Sequence, residues 1–309
     1  MIYTVTLNPA IDKTVVIDEY QRGKVNRSIN TRKDVGGKGI NVSKVLKVLG
    51  IDSVCTGILG NENSNFFLSY LESLNIKSDF YLIPGENRTN IKIVEKKHRT
   101  VTDINDKGFI VTHKELKKFI DHFLSLVDER DLVVLSGSLP EGIKDSIYGD
   151  LINLLKGKSV KVILDADNNS LIEGVEAIPY AIKPNVYELK GLVDIDEKNI
   201  GSIVKAGRDL INKGIEKVLI SSGREGAVYV TAKNIYFSEG LEVPIESTVG
   251  AGDAMVAGMA YGIENGLSDY EVFKLAIACG TAKVMTAGTE IPDIERIKEI
   301  ISKIIVKSL

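Results

Sequence analysis

Apolar positions along the chain fall into two rhythms. Short runs of β-branched or alternating apolar residues occupy 2–7, 13–18, about 28–35, 53–58, 79–83, 90–95 and 99–104, and read as strands. Between them, apolar residues at 42, 45, 46 and 49 give helical spacing over 40–49, closed by Gly50, and a second helical stretch covers 63–74. From about residue 113 the rhythms alternate strictly. A helix over 113–127 leads to strand 132–135, a helix over 145–156 to strand 160–164, a further helix to 181–183, and a helix near 197–213 to strand 218–221. Strands at 227–231 and 234–238 and helices near 251–265, 268–286 and 293–306 close the chain. Such alternation predicts an α/β fold with a mainly parallel sheet and helices on both faces. The strands at 13–35 and 79–104 lack intervening helices, so they are expected to pair with one another in a small lid-like sheet.

The 309 residues are 44% hydrophobic and 26% charged with a net charge of −3, ordinary for a globular protein. Mild acidity gives no reason to expect nucleic acid or an anionic membrane as partner. Cys55 and Cys279 lie in apolar contexts and read as buried free thiols, while His98, His113 and His122 lack metal-ligand spacing. Met1 runs directly into a strand and no apolar run is long enough to span a bilayer, so a cytoplasmic location is expected.

The chemistry collects where predicted strands end, because ligands of a parallel sheet bind at the carboxyl ends of its strands. Four such ends carry small or polar groups: Ser136-Gly137-Ser138, Asp165-Ala166-Asp167, Lys183-Pro184-Asn185 with Glu188 following, and Ser221-Ser222-Gly223-Arg224-Glu225-Gly226-Ala227. The most informative stretch is Gly250-Ala251-Gly252-Asp253, a tight turn feeding an apolar helix. Amides of small residues at a helix start suit an anion. A carboxylate beside that anion suits a base that deprotonates a hydroxyl attacking phosphorus. Read alone, Gly-x-Gly-Asp could equally open a helix and nothing more. Glu188 could help hold Mg²⁺ through water or be an exposed helix-start residue, and Arg27 and Arg88 could be solvated surface charges. Upstream, Gly36-Gly37-Lys38-Gly39 precedes another helix, but the residue after Lys38 and the glycine spacing exclude a P-loop.

In this order, the Thr6-Leu7-Asn8-Pro9-Ala10-x-Asp12 opening, Gly36-Gly37-Lys38-Gly39-x-Asn41-Val42, Ser136-Gly137-Ser138-Leu139-Pro140, Lys183-Pro184-Asn185-x-x-Glu188, Ser221-x-Gly223-x-x-Gly226-Ala227 and Thr248-Val249-Gly250-Ala251-Gly252-Asp253 resemble the ribokinase-like (PfkB) carbohydrate kinase family over nearly the whole chain. The resemblance implies a three-layer α/β/α ribokinase-like domain over residues 1–309. A small β lid from about 13–35 and 88–108 would cover the sugar site and serve a homodimer contact. It also implies ATP and Mg²⁺ as cofactors and a phosphorylated ketohexose as substrate. Asn90-Ile91-Lys92 and Thr102-Asp103-Ile104-Asn105-x-x-Gly108 in the lid resemble members acting on fructose 1-phosphate.

Carried over by position, the resemblance makes Asp253 the base, with the amides of Gly250, Ala251 and Gly252 as the anion hole. Asp12, Gly37, Lys38 and Asn41 would grip sugar hydroxyls, and Arg27, Arg88 and Ser138 the substrate's existing phosphate. Lys183, Asn185, Ser221, Ser222, Gly223, Glu225, Gly226, Ala227 and Gly252 would serve ATP, and Glu188 Mg²⁺. The implied reaction is ATP-dependent conversion of fructose 1-phosphate to fructose 1,6-bisphosphate. Tagatose 6-phosphate or fructose 6-phosphate is the alternative acceptor. A non-catalytic sugar-phosphate sensor on the same scaffold is a reading from another class, one with no need of Asp253.

Overall fold

A computed structural model of the protein describes residues 1–288 and 290–309. Its first half contains β1 (Ile2–Thr6), β2 (Ala10–Ile17), β3 (Asn30–Gly36), α1 (Lys38–Val48), β4 (Ser53–Gly60), α2 (Ser64–Ser73), β5 (Lys77–Ile83), β6 (Arg88–Glu95), β7 (Thr100–Ile104), α3 (His113–Leu126), β8 (Leu132–Ser136) and α4 (Ile147–Lys156). The second half contains β9 (Lys161–Asp165), α5 (Asn168–Glu176), β10 (Ala181–Ile182), α6 (Val186–Leu192), α7 (Ile200–Asn212), β11 (Lys217–Ser221), β12 (Ala227–Thr231), β13 (Ile235–Ser238), α8 (Ala251–Glu264), α9 (Asp269–Val284), α10 (Ile294–Lys303) and β14 (Lys307–Ser308).

Among the described residues, ten strands form one sheet in the order β14-β13-β12-β11-β10-β9-β8-β1-β4-β5. The run from β11 to β5 is parallel, and β12, β13 and β14 add antiparallel at one edge. One face packs against α3 to α7 around Phe119, Phe123, Leu151, Leu171 and Leu210. The other packs against α1, α8, α9 and α10 around Leu46, Met259, Phe273 and Ile297. These are the three layers expected of the alternating pattern. Chain order runs outward from β1 to β4 and β5 on one side, then restarts at β8 on the other. That reversal opens a crevice beyond the carboxyl ends of β1 and β8.

The second sheet, β3-β2-β6-β7, covers that crevice. Only Leu7-Asn8-Pro9 separates β1 from β2, so the lid begins almost where the central strand ends. Parallel register pairs Ala10 with Arg88, Asp12 with Asn90 and Thr14 with Lys92, and antiparallel register adds Asp34 opposite Asp12 and Asp103 opposite Lys92. Because alternate residues share a face, these polar groups lie on one side of the lid.

Two differences from the sequence expectation have physical causes. The strand at 77–83 does not join the lid. It pairs parallel with β4 at the edge of the large sheet, because α2 between them is a crossover helix that returns the chain to the same sheet. The last helix ends at Lys303 and not 306, and Lys307–Ser308 pairs with β13 instead. The chain leaves helical conformation at Ile304, which is extended. Cys55 and Cys279 are free and buried, as expected. No helix of the described residues is long and apolar enough to cross a membrane.

Candidate active site

Lid and large sheet enclose a cavity of about 490 Å³ lined by residues of both, among them Thr6, Asn8, Asp12, Lys38, Asn41, Arg88, Ser138, Asp167, Gly250 and Asp253. Its floor is the start of α8. Gly250, the N-cap, is left-handed at φ 78°, a conformation glycine takes without steric cost, and it turns the chain sharply into the helix. Ala251 N donates to the Thr248 carbonyl at 3.3 Å, and the next two amides of the α8 first turn, Gly252 and Asp253, have no carbonyl one turn back to bond, so they favour an anion.

Two lysines bracket this turn. A Cβ placed on Gly252 would stand 3.2 Å from the Lys183 Nζ, and one on Gly250 would stand 3.3 Å from the Lys283 Cε. The absence of side chains here lets both cations approach the turn. Lys183 is buried at the end of β10 with its ammonium 3.2 Å from Asp165. Lys38, on the opposite wall, lies 2.6 Å from Asp167 and 3.9 Å from Asp165. Burial opposes its charge, but the carboxylates of Asp165, Asp167 and Asp253 outweigh it and hold Lys38 well above its ordinary value.

Asp253 is buried in the first turn of α8. Burial, reinforced by the Asp165 carboxylate, raises it to about 6, while Lys38, Asn41 and Lys183 act in the opposite sense. Asn41 Nδ2 donates to Asp253 Oδ2 at 2.8 Å, leaving Oδ1 for a proton from outside. The other end of the Asn41 amide is also engaged: its Oδ1 accepts from Lys44 Nζ at 3.3 Å, and that same ammonium donates to the Val35 carbonyl. Lys44 is itself buried, which lowers it to about 8. Asn41 was expected to hold a sugar hydroxyl. It lines the cavity, and its amide nitrogen is bonded to the carboxylate.

At the lid end, Arg88 donates through Nη2 to Ser138 Oγ at 3.1 Å and to the Asn8 carbonyl at 3.0 Å, with Nε buried and unpartnered. No carboxylate lies within ion-pair distance of it among the described residues; Asp12 and Asp106 favour its charge from farther off, against burial. Asp12 accepts from Asn90 Nδ2 at 3.1 Å, and burial raises it above the usual carboxylate range. Gly37 lines the cavity at the head of α1. Arg27 is not brought in. It lies on the exposed loop between β2 and β3, beyond the end of the strands that cover the cavity, and does not line it within its own chain.

The residues assigned to nucleotide gather at the neighbouring strand ends. Asn185 bridges to Ser221, Ser222 N donates to the Gly226 carbonyl at 2.8 Å, and Gly223–Glu225 form a single 3-10 turn before Ala227 begins β12. A Cβ at Gly226 would fall 2.0 Å from the Ser238 carbonyl, so only glycine fits there. Glu188 is in a capping box with Asn185: the Asn185 amide donates to Glu188 Oε2 at 2.8 Å. That leaves Oε1, on a half-buried carboxyl raised by burial and by Asp165 against the pull of Lys183. Asp165 is fully buried against the Lys183 ammonium, with Lys38 the next cation at 3.9 Å. Among the described residues no three metal-ligating side chains cluster; a hard cation here would take most of its ligands from phosphate and water oxygens.

Sequence reasoning left out Lys44 and Lys283. Neither stands out locally: α1 carries Lys38 and Lys47 as well as Lys44, and α9 carries Asp269, Glu271 and Lys274 as well as Lys283.

A cavity with a carboxylate at a helix start, amides and two lysines around the same turn, and a further cation at the far end defines a phosphoryl-transfer enzyme of the α/β class. Residues 5–296 match the pfkB family carbohydrate kinase domain. The chain is 37% identical to 1-phosphofructokinase of Escherichia coli (strain K12) over 290 residues, 94% of this chain and 93% of that one. It is 35% identical to tagatose-6-phosphate kinase of Staphylococcus epidermidis over 307 residues, 98% of each. Among solved structures, phosphofructokinase-2 of Escherichia coli in complex with substrates and products superposes with a TM-score of 0.92 at 25% identity, covering 98% of each chain. The chain belongs to the pfkB family of carbohydrate kinases.

Proposed function

We propose that this kinase transfers the terminal phosphoryl of ATP to the free primary hydroxyl of fructose 1-phosphate, giving fructose 1,6-bisphosphate and ADP. The observation that carries the proposal is the Arg88 guanidinium, without a carboxylate in ion-pair distance among the described residues and held to Ser138 in the same cavity as Asp253. A planar guanidinium pairs with phosphate oxygens, so one end of the cavity suits the phosphate already on the sugar and the other the hydroxyl to be phosphorylated.

In the proposed reaction Asp253 Oδ1 takes the proton of the attacking hydroxyl as the new O–P bond forms and the bond to the leaving ADP oxygen breaks. The amides of Gly250, Ala251 and Gly252, with Lys183 and Lys38, stabilise charge on the moving phosphoryl. Asp12 and Asn90 orient the sugar hydroxyls. ATP lies along Lys183, Asn185 and the Ser221–Ala227 loop. Mg²⁺, which would neutralise the phosphate chain when bound, would be held by Glu188 and Asp165 through water.

Fructose 1-phosphate and fructose 6-phosphate each offer one phosphate and one primary hydroxyl at opposite ends of a similar ring, so the cavity ends alone favour neither. Relatives named 1-phosphofructokinase support the first. The relative named tagatose-6-phosphate kinase supports a second reading, tagatose 6-phosphate as acceptor. ADP formation from Mg-ATP with each of the three sugar phosphates tests the proposal: the highest kcat/KM with fructose 1-phosphate is expected, and preference for another acceptor would replace it. Binding of a sugar phosphate without ADP formation would favour the sensor reading instead.

We further propose a homodimer through the lid. Val25, Ile29, Val101 and Ile104 are exposed on it, and pairing would cover them and could carry Arg27 toward the partner subunit's cavity. Sedimentation at the monomer mass would refute it.

A further inference from the structure

The kinase chemistry above leaves one buried cation unused. Lys283, near the end of α9, is 4% exposed. Its Nζ donates to the Gly288 carbonyl at 2.7 Å and to Thr286 Oγ1 at 3.1 Å, and no carboxylate lies within ion-pair distance of it among the described residues. A buried ammonium satisfied only by neutral oxygens is less stable than a methionine of the same length would be there. Lys283 stands directly behind the N-cap of α8. The position a Cβ would take on Gly250 is 3.3 Å from Lys283 Cε, 3.8 Å from Asp253 Oδ2 and 4.0 Å from Asn41 Nδ2. The base, its orienting amide and this cation thus meet around one glycine.

Resting on the reading of the Gly250–Gly252 turn as the phosphoryl-stabilising element, we propose that Lys283 is a positioning residue of the reaction. Its ammonium, caged by the Gly288 carbonyl and the Thr286 hydroxyl, is a resident cation that holds and polarises the turn. It does so from within the chain, as a small monovalent cation would in the same oxygen cage.

The charge is felt by the groups around it. Asp253 on α8 and Glu290 in the segment after α9 favour the ammonium, Lys92 on β6 and Arg32 on β3 oppose it, and burial dominates, lowering Lys283 to about 8. Arg32 also ties the lid to this cage. It pairs with Glu290 at 2.6 Å, and its Nη2 lies 2.5 Å from where a Gly288 Cβ would stand. Asp253 must be ionised and Lys283 protonated for both to act, so turnover is expected to be bell-shaped, rising through about pH 6 and falling through about pH 8.

The test compares the unaltered protein, Lys283→Met and Lys283→Arg, with Mg-ATP and fructose 1-phosphate across the pH range. Assays run in tetramethylammonium chloride at constant ionic strength, with ammonium or potassium chloride then substituted. Lys283→Met should lose ~10–100-fold in kcat, less than loss of a direct oxyanion-hole donor, with both KM values within about 3-fold. Its alkaline limb should vanish, and ammonium or potassium should restore about 10-fold of the loss. Lys283→Arg should keep most of kcat and move the alkaline limb upward by more than about one pH unit, because a guanidinium stays protonated. The inference is overturned if Lys283→Met matches the unaltered protein in kcat and pH profile, or if its loss is rescued neither by small cations nor by arginine. Should Lys283→Met not fold, Lys283→Arg decides: an alkaline limb that stays where the unaltered protein has it overturns the inference. Absence of ADP formation by the unaltered protein with every sugar phosphate would sink the kinase reading itself, and the role of Lys283 with it. Activity of the unaltered protein with an indifferent Lys283→Met sinks only the latter.

Discussion

Asn41 donates its amide nitrogen to Asp253 Oδ2 at 2.8 Å while its amide oxygen accepts from the buried Lys44. Since Lys44 can only donate, it fixes which way the Asn41 amide faces, and the carboxylate of Asp253 is aimed by a residue it does not touch. The bond to Asn41 favours the ionised form of Asp253. Asn41→Leu should therefore raise the acid limb of kcat/KM above its starting point near pH 6. At neutral pH it should lower kcat by roughly 10-fold, a charged hydrogen bond being worth about 1.5–3 kcal/mol. An acid limb unchanged in Asn41→Leu would show that the contact does not tune the base.

Replacing Asp253 itself separates catalysis from stability. Asp253→Asn keeps an oxygen for Asn41 but cannot take a proton, so kcat should fall by about 10²–10⁴-fold with ATP affinity nearly intact. The folded-state value of Asp253 is raised from 3.8 to about 6. A raised carboxyl favours folding at low pH, and that contribution is lost as pH rises through the folded value. Above about pH 6 the native chain carries an ionised buried carboxylate, and the amide should relieve it. Asp253→Asn is expected to be more stable than the parent at pH 8, by up to ~3 kcal/mol at 1.36 kcal/mol per unit, with little difference at pH 4. Thermal melts at the two pH values check this, and a variant less stable at pH 8 would contradict it.

Arg88 is placed to act on ground-state binding of the sugar phosphate. Arg88→Gln removes the charge yet can keep a bond to Ser138, so the lid should stay closed over the crevice. KM for the sugar phosphate should rise by ~10–100-fold, the worth of one charge-assisted pair, while KM for ATP stays within about 3-fold. Equal changes in both constants would move Arg88 out of the phosphate-binding role.

The periodicity carried the large sheet because parallel strands are buried on both faces and read as apolar runs, and the crossover helices between them are amphipathic. The same signal could not assign β5. A strand at the edge of a parallel sheet and a strand of an open lid look alike over seven residues, and only the intervening α2 distinguishes them. At the site, strand ends and glycine turns pointed to Lys38, Ser138 and Asp253, which the structure brings to one cavity; Arg88, which joins them there, was expected only from the family resemblance. Arg27, expected from the same resemblance, lies on the exposed loop between β2 and β3 and does not line the cavity within its own chain. Lys44 and Lys283 were hidden. A lysine on a helix is ordinarily solvated, and what buries these two is the packing of β3, α8 and the segment after α9 around their ammonium groups, which no local pattern records.

Two glycines of α8 should respond to alanine in opposite ways. At Gly252 the new methyl would meet only the Lys183 side chain, 3.2 Å from Nζ and 3.4 Å from Cε, and a flexible ammonium can withdraw. Alanine is also the better helix former by about 1 kcal/mol, so Gly252→Ala should melt at or above the parent temperature. Withdrawal draws Lys183 from its place beside the anion turn, and kcat should fall by ~10-fold or more. At Gly258 the methyl would stand 2.8 Å from the Ala276 Cα and 3.0 Å from the Leu275 carbonyl, backbone of α9 that cannot move without separating the two helices. Gly258→Ala should cost on the order of 1–3 kcal/mol of stability, yet leave kcat of the folded fraction within about 3-fold, because it lies away from the cavity lining. Melting curves and turnover on both variants distinguish the two cases. If Gly252→Ala lost stability without losing turnover, Lys183 would not be pressed against the turn as the geometry requires.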